Sequence, residues 1–170
     1  MPFLAWAPPS MELPRGVVTS APVGLQDVLP TLFEVAGVPA PEGVTGRSVL
    51  PLMRGQEGGW REALHGEHAA CYRDDDGMHY LVDGHTKYVW YSGTGREHLF
   101  DLDQDPQELH DLALTTEAAE RLTPWRERLV DALSGRPEGF TDGTHLIPGR
   151  PHLPLMPPAA GASRPEEHIV

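Results

Sequence analysis

The sequence predicts a small α+β unit, in which three or four antiparallel strands are covered on one face by a long helix. Three observations predict it. MHYLVDG at 78–84 and HTKYVWYS at 85–92 flank an Asp83-Gly84 turn signal, the pattern of a β-hairpin. An amphipathic stretch runs from about Thr116 to Ser134, with Ala119, Leu122, Leu129 and Leu133 near one face. Proline and glycine, 18 each among 170 residues, are spread as punctuation, which favours many short elements joined by turns.

The elements follow in order. Residues 3–6, FLAW, read as a short buried strand that stops at Pro8-Pro9. Val17 and Val18 suggest a brief extended piece. Leu25, Leu29, Leu32, Phe33 and Ala36 recur at helical spacing. Asp27 is placed to cap that helix, Pro30 falls in its first turn, and Gly37 suits the left-handed position after its end. Residues 44–54 read as a loop with an apolar patch. A weak strand is expected within 62–70, and REHLFDL at 96–102 supplies another after the hairpin. Gly135 and Pro137 end the long helix. From 136 onward the chain has no period and is rich in proline and glycine, with its last dozen residues expected to be disordered.

Asp101, Asp103 and Asp105 raise the question of a calcium loop. An EF-hand needs glycine at the sixth position and a bidentate glutamate at the twelfth, where this chain has Pro106 and Leu112. The aspartates are expected instead to shape the corner after a strand, their side chains bonding nearby backbone N–H groups.

Composition excludes several classes. Thirteen basic against 25 acidic residues give a net charge of −12, which disfavours nucleic acid. A single cysteine, Cys71, permits neither an internal disulfide nor a CxxC-type zinc site. No apolar run approaches the roughly 20 residues that span a bilayer. The first residues lack a basic segment and carry prolines, unlike a signal peptide, so a cytoplasmic location is the default expectation.

No catalytic constellation assembles from the residues. Cys71 sits near Arg73, but a lone cysteine at a strand end is more often inert. In HGEH, residues 65–68, a strand would point His65 and His68 to opposite faces, so those two could not share a metal. His79, His85, His98 and His110 show no ligand spacing and read as surface or hairpin residues.

Three segments together resemble the C-terminal part of the sulfatase family. They are DVLPTLFEVAGVPAPEGVTGRSVLPLM, DGHTKYVWYSGTGREHLFDLDQDPQELHDLA and the opening PFLAWAP, covering roughly residues 2–113. Asp111 stands where the family often has asparagine. The resemblance implies an alkaline-phosphatase-like α/β fold, with 1–60 the last pieces of a catalytic domain. It further implies a small antiparallel sheet and helix over 61–135, with 136–170 as tail.

For full-length relatives the resemblance implies a formylglycine nucleophile made from C/S-x-P-S-R and a divalent cation, usually calcium. That motif is absent here. Cys71 is followed by Tyr72 and Arg73, and Ser20-Ala21-Pro22-Val23 leads to Gly24 where arginine belongs. The expectation is therefore a sulfatase C-terminal portion, inactive alone, with no cofactor of its own. Glu67 and His68 are the candidate substrate-facing residues. Its partner would be the missing sulfatase segment, or another copy through exposed apolar surface. The alternatives are a non-catalytic binding module, a subunit completing a separately encoded catalytic chain, and a phosphonate or phosphate ester hydrolase relative.

Overall fold

A computed structural model describes residues 3–69 and 76–152. The expectations for Cys71 and for the last dozen residues fall outside the described residues. Helices α1 (Val28–Ala36) and α2 (Leu50–Met53) precede a sheet of β1 (Leu64–His68), β2 (Met78–Val82), β3 (Thr86–Tyr91) and β4 (Glu97–Asp101). Helix α3 (Ala118–Leu133) follows. No described helix is long and apolar enough to cross a membrane.

The sheet is a meander in the order β1-β2-β3-β4, every neighbouring pair antiparallel. Short loops between consecutive strands dictate this arrangement. At the β2–β3 turn, Asp83 Oδ1 accepts from the N–H groups of His85 and Thr86, and Gly84 supplies a φ of 97°. At the corner after β4, Asp101 Oδ1 accepts from Asp103 N and Gln104 N, and Asp105 Oδ2 accepts from His110 N. These two carboxylates therefore satisfy turn backbone, as the sequence predicts.

Register decides which side chains share a face. Leu81 lies opposite Tyr88, and Tyr88 opposite Leu99, while His79 lies opposite Trp90. With the two-residue period of a strand, these residues share one side. That side meets Leu122, Trp125, Leu129 and Leu133 of α3. Glu97 ties the layers together: Tyr88 Oη donates to its Oε1 at 2.6 Å, and Arg126 donates to both oxygens at 2.8 and 2.5 Å. Burial alone would raise the Glu97 pKa, but these hydrogen bonds outweigh it and hold the carboxyl below its usual range.

Two expectations are corrected. Residues 3–6 are exposed coil rather than a buried strand, with Leu4 and Trp6 open to solvent. A strand needs a neighbour for its backbone, and no described segment pairs with this one. The segment after α3 does not leave the domain at 136. Phe140 is fully buried in the sheet–helix core, and a Thr141–Leu146 bridge closes a turn over it.

Asp27 also behaves differently from a simple cap. It precedes α1, but its side chain caps nothing in that helix. The carboxylate instead accepts from Gly24 N and Arg47 N, both at 2.8 Å, and receives a bidentate pair from Arg61 at 2.5 and 2.6 Å. Asp27 is fully buried, so this pair anchors the loop segments around α1 to the approach to β1.

Candidate functional site

The chemistry-bearing residues gather where β1 and β2 meet the segment after α3. On β1, alternation places His65 and Glu67 on the helix-facing side and His68 on the other. Glu67 lies directly opposite His79 in the ladder, and His65 is its diagonal neighbour. The two residues singled out from sequence are thus divided: Glu67 joins a cluster, whereas His68 ends the strand on the opposite face and is exposed.

Gly66, between His65 and Glu67, is required by packing. A Cβ there would stand 2.1 Å from Tyr80 Cζ, because the Tyr80 ring crosses the strand at that point. Gly77 has the same kind of duty at the start of β2. A Cβ there would lie 2.5 Å from His152 Nε2. The bare glycine lets His152 reach Ser92, whose Oγ lies 2.9 Å from His152 Nε2.

His65 Nε2 lies 3.2 Å from His79 Nδ1, and Glu67 Oε2 lies 3.5 Å from the same nitrogen. Arg136 Nη1 donates to Glu67 Oε2 at 2.7 Å, while its Nη2 donates to Glu138 Oε1 at 2.8 Å. His79 stacks between His65 and His152, with ring centroids 5.4 and 5.2 Å away, and meets Phe140 edge-on at 4.9 Å.

His79 lies in hairpin strand β2 but is completely buried, which rules out the surface half of its reading. Its position was hidden because burial here comes from Phe140, 61 positions further along the chain. Burial drives its pKa down to about 3, reinforced by the neighbouring His65, His152 and Arg136. Burial lowers His65 as well, with Glu67 opposing and Arg136 assisting, and burial lowers His152. The three imidazoles are therefore held in their neutral, lone-pair-bearing form near neutral pH.

The arrangement offers imidazole nitrogens and one clamped carboxylate. The described hydroxyl at its margin, Ser92, is buried and its Oγ donates to Gly77 O at 3.1 Å, so its proton is committed to a backbone carbonyl rather than to the imidazole of His152. Calcium prefers six to eight oxygen ligands, which this nitrogen-rich group does not provide. The formylglycine and calcium chemistry implied for full-length relatives therefore does not fit these residues.

This arrangement of short helical pieces, a meander sheet and one covering helix superposes on solved structures. The structure of a 2-O GAG sulfatase superposes with a TM-score of 0.59 at 24% identity, covering 75% of this chain and 30% of that one. A phosphonate monoester hydrolase from Silicibacter pomeroyi superposes with a TM-score of 0.58 at 20% identity, covering 66% and 25%. The family profile described as N-sulphoglucosamine sulphohydrolase, C-terminal, matches residues 1–134, so the chain belongs to that sulfatase family. It is 36% identical over 152 residues to an arylsulfatase of Clostridium perfringens, a match covering 89% of this chain and 31% of that protein. The chain thus spans about a third of that relative's length.

Proposed function

We propose that this chain acts as the C-terminal structural part of a sulfuric ester hydrolase, and that bond cleavage requires a catalytic portion whose residues this sequence does not carry. The family match over residues 1–134 is the observation that carries the reading. Two others support it. First, C/S-x-P-S-R occurs nowhere in the sequence, and a sulfate ester needs an activated nucleophile with concentrated positive charge around the transferring group. A net charge of −12 works against the second requirement.

Second, most of the exposed large apolar side chains fall within residues 3–38. Leu4, Trp6, Val18, Leu25, Leu29 and Leu32 are all exposed. Beside them opens a cleft of about 620 Å³, lined by Phe3, Trp6, Leu13, Val49 and Leu52 among others. Exposed apolar patches of this kind mark surfaces that a partner covers. A sulfatase catalytic segment is that partner, and α1 presents its apolar residues toward it. Glu67, bound by Arg136 and set beside His79, serves on this reading to hold the sheet edge, and His68 lies at the substrate rim.

The test has two arms. The purified chain with added calcium should give no turnover of p-nitrophenyl sulfate, and steady hydrolysis would refute the proposal. Fusing the chain to the catalytic portion of the Clostridium perfringens arylsulfatase, in place of that enzyme's own C-terminal third, should restore turnover and suppress binding of an apolar dye. A soluble fusion that leaves dye binding unchanged would show that the exposed face is not the docking surface.

A further inference from the structure

We propose that His65 Nε2, His79 Nδ1 and a carboxylate oxygen of Glu67 form a zinc-class metal site that fastens edge strand β1 to its neighbour β2. This site stands independently of the proposed sulfatase role.

The geometry points there first. The candidate ligand atoms of the three residues all lie within 4.8 Å of one another. A tetrahedral zinc ion with bonds of about 2.0–2.1 Å separates its ligand atoms by roughly 3.3 Å. The two distances along this cluster are 3.2 Å, between the imidazole nitrogens, and 3.5 Å, between His79 Nδ1 and Glu67 Oε2. The ion would need only small side-chain adjustment. Two imidazoles and one carboxylate make a donor set suited to zinc, leaving a fourth position for water.

The hydrogen bonding of the cluster accommodates a metal on His79 Nδ1. His79 Nε2 is buried and has no hydrogen-bond partner among the described residues. When His65 donates to His79 Nδ1, the proton of His79 must sit on that orphaned Nε2. When His79 Nδ1 donates instead, its Nε2 lone pair is orphaned. A metal on Nδ1 fixes the proton on Nε2 and so adds no unsatisfied group beyond the one already present. It also replaces a single long hydrogen bond by two coordination bonds.

The surroundings are organised as support for such a ligand set. Arg136 grips Glu67 at 2.7 Å and is itself held by Glu138, which fixes the carboxylate against β1. Partners of this kind orient ligating side chains in metal sites. The buried environment keeps both imidazoles neutral, the form that binds metal. The ligands come from two strands and the clamp from the segment after α3, so an ion would join three pieces of chain at the sheet edge.

The experiment is titration of the chelator-stripped, full 170-residue chain with zinc chloride by calorimetry, and with cobalt(II) chloride by visible absorption. One equivalent of zinc should bind, and cobalt should develop the intense visible bands of a four-coordinate site. At a hundredfold excess over Kd, zinc should raise Tm by roughly 5 °C or more. His65→Gln and Glu67→Gln, at positions that are not fully buried, should each weaken zinc by more than about tenfold while leaving the far-ultraviolet circular dichroism unchanged. His85→Gln, in the exposed pair with Asp103, should leave the affinity as it was. Absence of saturable binding would overturn the proposal. So would one-equivalent binding that survives both His65→Gln and Glu67→Gln, because the ion would then lie elsewhere.

Discussion

Replacing Asp27 with alanine will lower the unfolding free energy by about 3–5 kcal/mol, the range for breaking a buried ion pair from one side. The carboxylate is fully buried, and the Arg61 side chain is only 12% exposed. Alanine would leave that guanidinium without its counter-ion and the N–H groups of Gly24 and Arg47 without an acceptor. Urea unfolding of the chain and the variant measures the loss. Asp27→Ala combined with Arg61→Met should recover part of it, because the largest cost is the orphaned charge rather than the missing pair. A single-variant loss below about 1 kcal/mol would show that the pair is not part of the cooperative fold.

The same pair sets an acid limit. Burial tends to raise the Asp27 pKa, but hydrogen bonds from Arg61, Gly24 and Arg47 and the charge of Arg61 outweigh it. The carboxyl therefore titrates below its ordinary value of 3.8. A depressed native pKa means that, at acid pH, the unfolded chain binds the proton more readily than the folded one. The stabilisation is complete above the unfolded value and is lost as pH falls through the native one. Stability measured from pH 6 to pH 2 should therefore fall more steeply in the parent chain than in Asp27→Ala. Parallel curves would mean that the carboxylate is not paired in solution.

Phe140→Ala should cost about 3–5 kcal/mol and lower Tm by roughly 10 °C. Its ring is fully buried, meets Trp90 at 6.1 Å and His79 at 4.9 Å, and lies under the Arg136 guanidinium at 5.8 Å. Its removal would open a cavity between β2, β3 and the segment after α3. A loss under 1 kcal/mol in urea would mean that residues 136–152 do not pack stably on the sheet.

The particular elements show what could be read in advance. The hairpin over β2 and β3 was legible because Asp83-Gly84 is a local turn device, and both strands end within two residues of the expected limits. The long helix was legible from periodicity, its observed span being Ala118–Leu133. Asp101 and Asp105 were legible as turn residues because their bonds reach only two to five positions along the chain, whereas the Asp103 carboxylate meets the His85 ring 18 positions away. The sulfatase resemblance came from motifs that are themselves local strings.

The failures were all non-local. FLAW at 3–6 has the composition of a buried strand, but pairing and cover come from other parts of a structure. Phe140 lies in a stretch without period, so nothing in its neighbourhood announces that it completes a core. His79 looks like one more scattered histidine until the β1–β2 register brings Glu67 opposite and His65 alongside.

By itself, then, the amino-acid order determined the family, the meander sheet, the covering helix and the absence of the nucleophile motif. Each of these depends on short-range periodicity, turn chemistry or contiguous strings. Only the tertiary structure decided that Asp27 is neutralised from 34 positions away, and that His65, Glu67 and His79 converge. The reason is physical: register and burial depend on contacts between residues distant in the chain, and no local pattern encodes which distant groups will meet.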